Sequence, residues 1–310
     1  MLMKDKDAAA VARGERMINE DLLQKQKKKR LTAHEVCDIQ ARVVPLHDGE
    51  ASWTRHFSQA DIVIEAVFEE IGVKHAVLKA IEDVIPTHCV FASNTSAIPI
   101  GQIAAGSKRP ERVIGMHYFS PVPAMPLLEI ILHSGTAPEV AAVAMEVGSR
   151  QGKTPIFVKD VAGFYVNRCL GPFMSEVTAL VEEGVDLLLI DKAMKDFGFP
   201  VGPITLTDQV GLDISAHVGS FMAKSDLGVR MTGGNNEVIP MMVKKGWLGK
   251  KAGKGFFLYE DDKKGKKGGG GGKARPLNPE VLAFLKPFQK VTEESRKITA
   301  EDIQSRIISR

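Results

Sequence analysis

The stretch from Gly115 to Ile131, GMHYFSPVPAMPLLEII, is strongly apolar yet carries one histidine, His117, and one acid, Glu129. Imidazole is the side chain that takes and releases a proton near neutral pH, so a histidine set in such sequence is a candidate for acid–base chemistry. The pattern equally suits a histidine satisfied inside a core, and a glutamate at a strand edge facing water. Residue types alone leave these readings open. Either way, the alternation and β-branching around both residues predict sheet.

Further runs of the same kind supply the rest of that sheet: ARVVPL (41–46), DIVIEAVF (61–68), HCVFAS (88–93), RVIGMHYF (112–119), LLEIIL (127–132) and TPIFV (154–158). Helical stretches such as 73–85 and 138–150 lie between several of them. Apolar strands alternating with helices predict a mostly parallel sheet covered on both faces, the doubly wound α/β class. Residues 1 to about 34, rich in Ala, Glu, Lys and Leu, predict a surface helix. Beyond residue 160 the strands stop. Helical patterns follow at 163–184, 186–198 and 205–224, with Gly184, Gly198 and the cluster Pro200, Gly202 and Pro203 as stops, which predicts a second, all-helical domain. A Lys/Gly linker follows at 261–274. Residues 275–310 hold one clear amphipathic segment, NPEVLAFLKPFQK, too short to bury a core of its own.

The 310 residues are 44% hydrophobic and 25% charged, a balance that suits a globular chain with a sizeable core. No apolar run reaches the roughly 18–20 residues a membrane span needs, and no signal-peptide pattern opens the chain. Cys37, Cys89 and Cys169 have neither the paired spacing of a zinc site nor the number of a disulfide framework, so no metal is expected. The net charge is +3. Its basic runs, KQKKKR (25–30) and KKGKKGGGGGKAR (263–275), have no interleaved aromatics and read as solvated charge rather than a nucleic-acid surface. A doubly wound sheet followed by a helical domain suits a dinucleotide enzyme, which calls for a glycine-rich phosphate loop. No G-x-G-x-x-G and no G-x-x-x-x-G-K-[ST] occurs; the nearest string, GKKAGKGFF (249–257), lies in the helical half. The residues alone leave the cofactor undecided.

Six stretches, in order, resemble L-3-hydroxyacyl-CoA dehydrogenases, above all the dehydrogenase region of the α subunits of multifunctional fatty-acid β-oxidation complexes. They are ADIVIEAVFEEIGVKHAVLKAIEDVIP (60–86), CVFASNTSAIPIGQIA (89–104), ERVIGMHYFSPVPAMPLLEII (111–131), KDVAGFYVNRCLGPFMSE (159–176), FGFPVGPITLTDQVGLD (197–213) and GWLGKKAGKGFFLY (246–259). The resemblance implies an incomplete NAD-binding, Rossmann-like domain at 1–159 and a helical dehydrogenase domain at 160–260. It implies oxidation of an L-3-hydroxyacyl-CoA to the 3-ketoacyl-CoA by hydride transfer to NAD, with His117 as the general base and Glu129 as its paired acid. Their separation of twelve positions lets a strand turn back and face its predecessor, so that the carboxylate holds the far ring nitrogen and fixes the tautomer. Ser96 and Asn167 match positions that hydrogen-bond the reacting oxygen and the thioester end of the substrate. On the cofactor side the resemblance implies roles for Val67, Phe68 and Glu69 at the end of a strand, for Lys74, Ser96 and Ser120, and for Asp5 on a ribose hydroxyl.

If Asp5 closes the second strand of such a sheet, the first strand, its glycine turn and its helix are missing from the sequence. In the strand order 3-2-1-4-5-6 their absence opens the sheet at its centre. The chain is therefore expected to be a piece of a larger β-oxidation protein, with EDIQSRIISR as the start of a second helical repeat. Implied partners are acyl-CoA and either a second copy or a complex with a thiolase subunit. The implied compartment is the mitochondrial matrix in a eukaryote or the cytoplasm in a bacterium. The alternative is an inactive fragment that retains an acyl-CoA-binding or dimerisation surface.

Overall fold

The computed structural model describes residues 1–223, 237–259 and 275–310. The expected linker at 261–274 lies outside the described residues, as does all but the last residue of the second basic run. The chain divides into two compact units, one of Met1–Asn94, Ile100–Met116 and Leu132–Arg150, the other of Thr95–Pro99, His117–Ile131 and Gln151–Arg310.

The first half alternates strand and helix as expected. It runs β1 (Leu2–Asp5), α1 (Ala8–Lys27), α2 (Ala33–Ala41), β2 (Val44–His47), α3 (Ser52–Phe57), β3 (Ile62–Glu65), α4 (Ile71–Glu82), β4 (Val90–Ser93), α5 (Ile100–Ala104), β5 (Val113–Tyr118), β6 (Leu127–Leu132), α6 (Pro138–Arg150) and β7 (Thr154–Lys159). The helix expected from residue 1 is corrected at its start. The Asp7 carboxylate accepts from the Ala10 amide at 2.8 Å, which sets the helix start at Ala8 and leaves the four residues before the Lys6–Asp7 turn as a strand. α2 opens on a full capping box between Thr32 and Glu35.

β1 pairs in parallel with β2, Leu2 opposite Val44 and Asp5 opposite His47. β3 pairs in parallel with β4, Ile62 opposite Val90, and β4 with β5, Phe91 opposite Val113. The strands fall into two separate sheets, one of two strands, β1-β2, and one of five in the order β3-β4-β5-β6-β7. The opening expected at the sheet's centre is thus present as a break between the pair β1-β2 and β3. Burial follows the break: every residue of β4 is buried, whereas in β3 only Glu65 is, and Ile64 is 37% exposed.

The second half is helical: α7 (Val166–Glu182), α8 (Leu187–Phe197), α9 (Pro203–Val210), α10 (Leu212–Ala223), α11 (Val238–Lys244), α12 (Pro279–Leu285) and α13 (Ala300–Ser309). Asp186 caps α8, its carboxylate accepting from the Leu188 and Leu189 amides, and Gly198 ends it at φ +128°. The single helix expected over 205–224 is corrected to two. Gly211 takes φ +104°, which a side chain would resist, and the chain turns there between α9 and α10. Asp208, fully buried, accepts from the Phe256 and Phe257 amides and from the Tyr259 hydroxyl at 2.9, 2.8 and 3.1 Å, tying the 253–259 loop to α9. Burial pushes its carboxyl above the usual range, against those three hydrogen bonds.

Residues 275–310 do not stand apart from the helical core. Val281 and Leu285 of α12 and Ile303 and Ile307 of α13 are buried in the same cluster as Leu180, Ile190 and Met194. Arg306 adds a two-pronged contact to Glu183, both arms at 2.7 Å, and a bond to Glu176 at 2.8 Å. The segment is too short for its own core and uses one already built. Ile303→Ala is expected to lower stability by about 2–5 kcal/mol, because it removes a fully buried side chain and leaves a cavity in the cluster. A urea midpoint unchanged from the parent would show that α13 is not part of the cooperative unit.

Candidate active site

His117 lies on β5 and Glu129 on β6, both buried. The imidazole Nδ1 is 2.7 Å from Glu129 Oε2. The other carboxylate oxygen, Oε1, accepts from the Tyr165 and Val166 amides at 3.0 and 2.9 Å. Those amides belong to the first turn of α7, where the helix leaves N–H groups unpaired and its dipole favours negative charge. A carboxylate so held has both oxygens engaged, and it can only accept. The arrangement therefore puts the Nδ1 proton toward Glu129 and leaves Nε2 as the nitrogen able to take a proton. The rings of Phe119 and Phe164 stand beside the imidazole, centroids 4.4 and 5.9 Å away.

The turn that starts α7 is unusual in its backbone. Gly163 has φ +74° and Phe164 φ +50°, the latter rare for an aromatic residue. A Cβ on Gly163 would stand 2.3 Å from Met222 Sδ, so the position is closed to side chains in both conformation and space. Strain of this kind persists where neighbours over-determine it. Here it aims the Phe164 ring at His117 and the following amides at Glu129.

Ser96 and Asn167 are brought together: Asn167 Nδ2 donates to the Ser96 carbonyl at 2.8 Å, and both residues are half-buried. They share one unit with His117 and Glu129. Ser120 is exposed just past the end of β5.

Of the cofactor-side residues, Asp5, Val67, Phe68, Glu69 and Lys74 belong to the first unit, and one expectation needs correction there. Val67, Phe68 and Glu69 do not end a strand. β3 stops at Glu65, whose carboxylate turns back to accept from the Val67 amide at 3.0 Å and pulls the chain out of the sheet. Phe68 is then left 82% exposed. Lys74 is fully buried, its ammonium 3.0 and 3.2 Å from the two Glu65 oxygens and 3.3 Å from Glu69 Oε2. Ser93 also hydrogen-bonds Glu65. Asp5 sits exposed at the end of β1, its carboxylate accepting from the Lys6 amide at 2.7 Å.

Glu65 is the residue that sequence reasoning missed. The signal was the same one that marked Glu129, a lone acid inside an apolar β-branched run, here DIVIEAVF. Lys74→Met is expected to cost about 3–5 kcal/mol of stability, since it leaves the Glu65 charge buried without its counter-ion. Recovery in the double variant Lys74→Met/Glu65→Leu would confirm the cause; a single variant as stable as the parent would refute it.

Strands and helices in this order, with a strand-borne histidine held by a buried carboxylate and a helical half after them, fit the class of α/β dehydrogenases. The comparison with known proteins narrows the class. The 3-hydroxyacyl-CoA dehydrogenase NAD binding domain matches residues 1–161 and the 3-hydroxyacyl-CoA dehydrogenase C-terminal domain matches residues 163–259; the chain belongs to this family. It is 50% identical over 200 residues to the fatty acid oxidation complex subunit alpha of Shewanella sp. (strain ANA-3), a match covering 64% of this chain and 28% of that one. The chain thus spans less than a third of that relative's length. Among solved structures it is similar to 3-hydroxybutyryl-CoA dehydrogenase from Escherichia coli, with a TM-score of 0.76 and 34% identity over 84% of this chain and 54% of that one. It is also similar to (S)-3-hydroxybutyryl-CoA dehydrogenase PaaH1 from Ralstonia eutropha, with a TM-score of 0.75 and 34% identity over 83% of this chain and 89% of that one.

Proposed function

We propose that this chain carries the acid–base chemistry of an L-3-hydroxyacyl-CoA dehydrogenase of fatty-acid β-oxidation, interconverting a 3-hydroxyacyl-CoA and its 3-ketoacyl-CoA. The observation that carries the reading is the buried His117–Glu129 contact at 2.7 Å, with the second carboxylate oxygen held by two α7 amides. In the oxidative direction His117 Nε2 takes the proton of the substrate's 3-hydroxyl; in reverse it returns it. Glu129 keeps the proton on Nδ1 and offsets the charge of the imidazolium. Ser96 and Asn167, tied to each other, position the oxygen and the thioester end.

The hydride acceptor of the family is NAD, and the residues present fit only part of it. Asp5, Glu69 and Ser120 lie at or beyond the carboxyl ends of strands, where such ligands bind. The sequence has no glycine-rich turn for the pyrophosphate, and the sheet is open where that turn would begin. The proposed division is dinucleotide binding in 1–159 and the helical substrate domain in 160–260, with 275–310 as the opening of a further repeat.

Among the described residues no helix is long and apolar enough to cross a membrane. The bacterial source of the relatives favours the cytoplasm and lends no support to the mitochondrial alternative. Their being named as one subunit of a fatty acid oxidation complex supports a partner subunit, for which we propose the thiolase type. The split sheet favours a second reading, in which acyl-CoA binds and turnover fails. Acetoacetyl-CoA reduction by NADH, run beside calorimetric titration of acetoacetyl-CoA alone, separates them. Turnover that depends on His117 supports the first reading, binding without turnover supports the second, and absence of both sinks the assignment.

A further inference from the structure

The loop joining the two strands of the site is exposed along its whole length. β5 carries His117 and ends at Tyr118, β6 begins at Leu127 and carries Glu129, and every residue from Ser120 to Pro126 is exposed. Its apolar side chains include Val122 and Met125, 43% and 38% exposed. A loop without buried side chains is not held by apolar packing, so its polar ties decide whether it keeps one conformation. It makes one turn of its own: the Pro121 carbonyl accepts from the Ala124 and Met125 amides at 2.9 and 3.1 Å. Such a turn leaves its later carbonyls unpaired.

Lys153, between α6 and β7, meets two of those carbonyls. Its ammonium donates to Val122 at 2.5 Å and to Met125 at 2.9 Å, and the next amide, that of Thr154, donates to the Pro126 carbonyl at 2.7 Å. Among the described residues these three bonds are the loop's polar ties to the rest of the chain. A cation suits this place, because the carbonyl end of a helical turn offers acceptors and partial negative charge.

The position of the loop connects it with the chemistry. It leaves the carboxyl end of β5, and Ser96 lies just beyond the carboxyl end of β4, the parallel neighbour of β5. Ligands of open α/β sheets bind outside those ends. The loop, Lys153, Ser96 and His117 belong to one compact unit. Phe119, the residue before the loop, sets its ring 4.4 Å from the imidazole, centroid to centroid. Glu129 and the α7 amides already hold the Nδ1 side, so the His117–Glu129 pair does not need the loop.

We propose that Lys153 is a positioning residue: by capping the 121–125 turn it fixes the loop that bounds the approach to His117 Nε2, and so fixes where an acyl-CoA sits. The positioning role rests on the 3-hydroxyacyl-CoA reading above; the cap does not.

The test uses the full chain with Lys153→Met, which keeps the stem and removes the donors, and Lys153→Arg, which keeps both donors and charge. Hydrogen exchange is followed at Ala124 and Met125 and, as a control, at Tyr165 and Val166. Acetoacetyl-CoA affinity is measured by calorimetry, in buffer where a urea curve shows each protein folded. In Lys153→Met, exchange at Ala124 and Met125 is expected to quicken at least about tenfold while the control amides stay unchanged. The dissociation constant of acetoacetyl-CoA should rise at least about fivefold, and Lys153→Arg should bring both quantities within about twofold of the parent. Amides already unprotected in the parent, unchanged exchange in Lys153→Met, or equal quickening at the control amides each overturn the cap. Quickened exchange with unchanged affinity upholds the cap and sinks the positioning role, as does an affinity loss that arginine leaves in place while restoring exchange. A parent that does not bind acetoacetyl-CoA ends the 3-hydroxyacyl-CoA reading and the positioning role with it, and the exchange result still decides the cap.

Discussion

Replacing His117 with alanine is expected to lower turnover of a 3-hydroxyacyl-CoA by about 10²–10⁴-fold, the range that one positioned general base contributes. The size follows from what surrounds the ring. His117 is buried on β5, its Nδ1 is committed to Glu129, and two aromatic rings flank it. No other described hydrogen bond at this pair involves a group that could take the proton instead. Acyl-CoA affinity should stay within about threefold, since a base acts on the transition state more than on the ground state. The alanine variant also opens a cavity between Phe119 and Phe164, so His117→Gln, which keeps most of the volume and a donor toward Glu129, is the control for folding. Both variants are assayed under the conditions that give the parent its turnover. Activity within tenfold of the parent in both would remove His117 from the mechanism.

The parts of this molecule that could be read from sequence are those whose cause is local. Residues 127–132 and 138–150 form the strand and helix expected, to the residue, because a short apolar run with paired isoleucines favours a buried strand and helical periodicity over thirteen positions favours a helix. The uniform composition of 61–68 predicts one strand; the structure ends it at Glu65, where a side-chain hydrogen bond from the Val67 amide competes with the ladder. Gly211 looked like a glycine tolerated inside a helix, and nothing in the pattern encodes its φ of +104°. At the site, the pairing of His117 with Glu129 was legible from spacing and resemblance. What anchors Glu129 was not: its partners are amides 36 and 37 residues away, in a turn whose geometry depends on Gly163 and Phe164. The break in the sheet was legible for a different reason, since a missing motif is visible in sequence before any packing is known.

Glu129→Gln is expected to reduce kcat by about 10³–10⁴-fold, the scale seen when a base histidine is given the wrong tautomer. The carboxylate has two accepting oxygens and uses both, Oε2 toward His117 and Oε1 toward the Tyr165 and Val166 amides. An amide has one acceptor and one donor, so it cannot serve both sides. If its oxygen keeps the two α7 amides, its NH₂ faces Nδ1 and forces the ring proton onto Nε2, the nitrogen that must be free. If its oxygen turns to Nδ1, the NH₂ meets two backbone N–H groups, and the start of α7 loses the anion that its dipole favours. The first arrangement destroys the base and spares the fold; the second keeps the tautomer and weakens α7. A kcat measurement paired with a urea titration therefore reads out which one the protein chooses. The first is expected, because it retains two buried hydrogen bonds against one. A variant that kept kcat within tenfold and the parent's urea midpoint would mean that Glu129 neither orients His117 nor anchors α7, and the proposed site would fail as a whole.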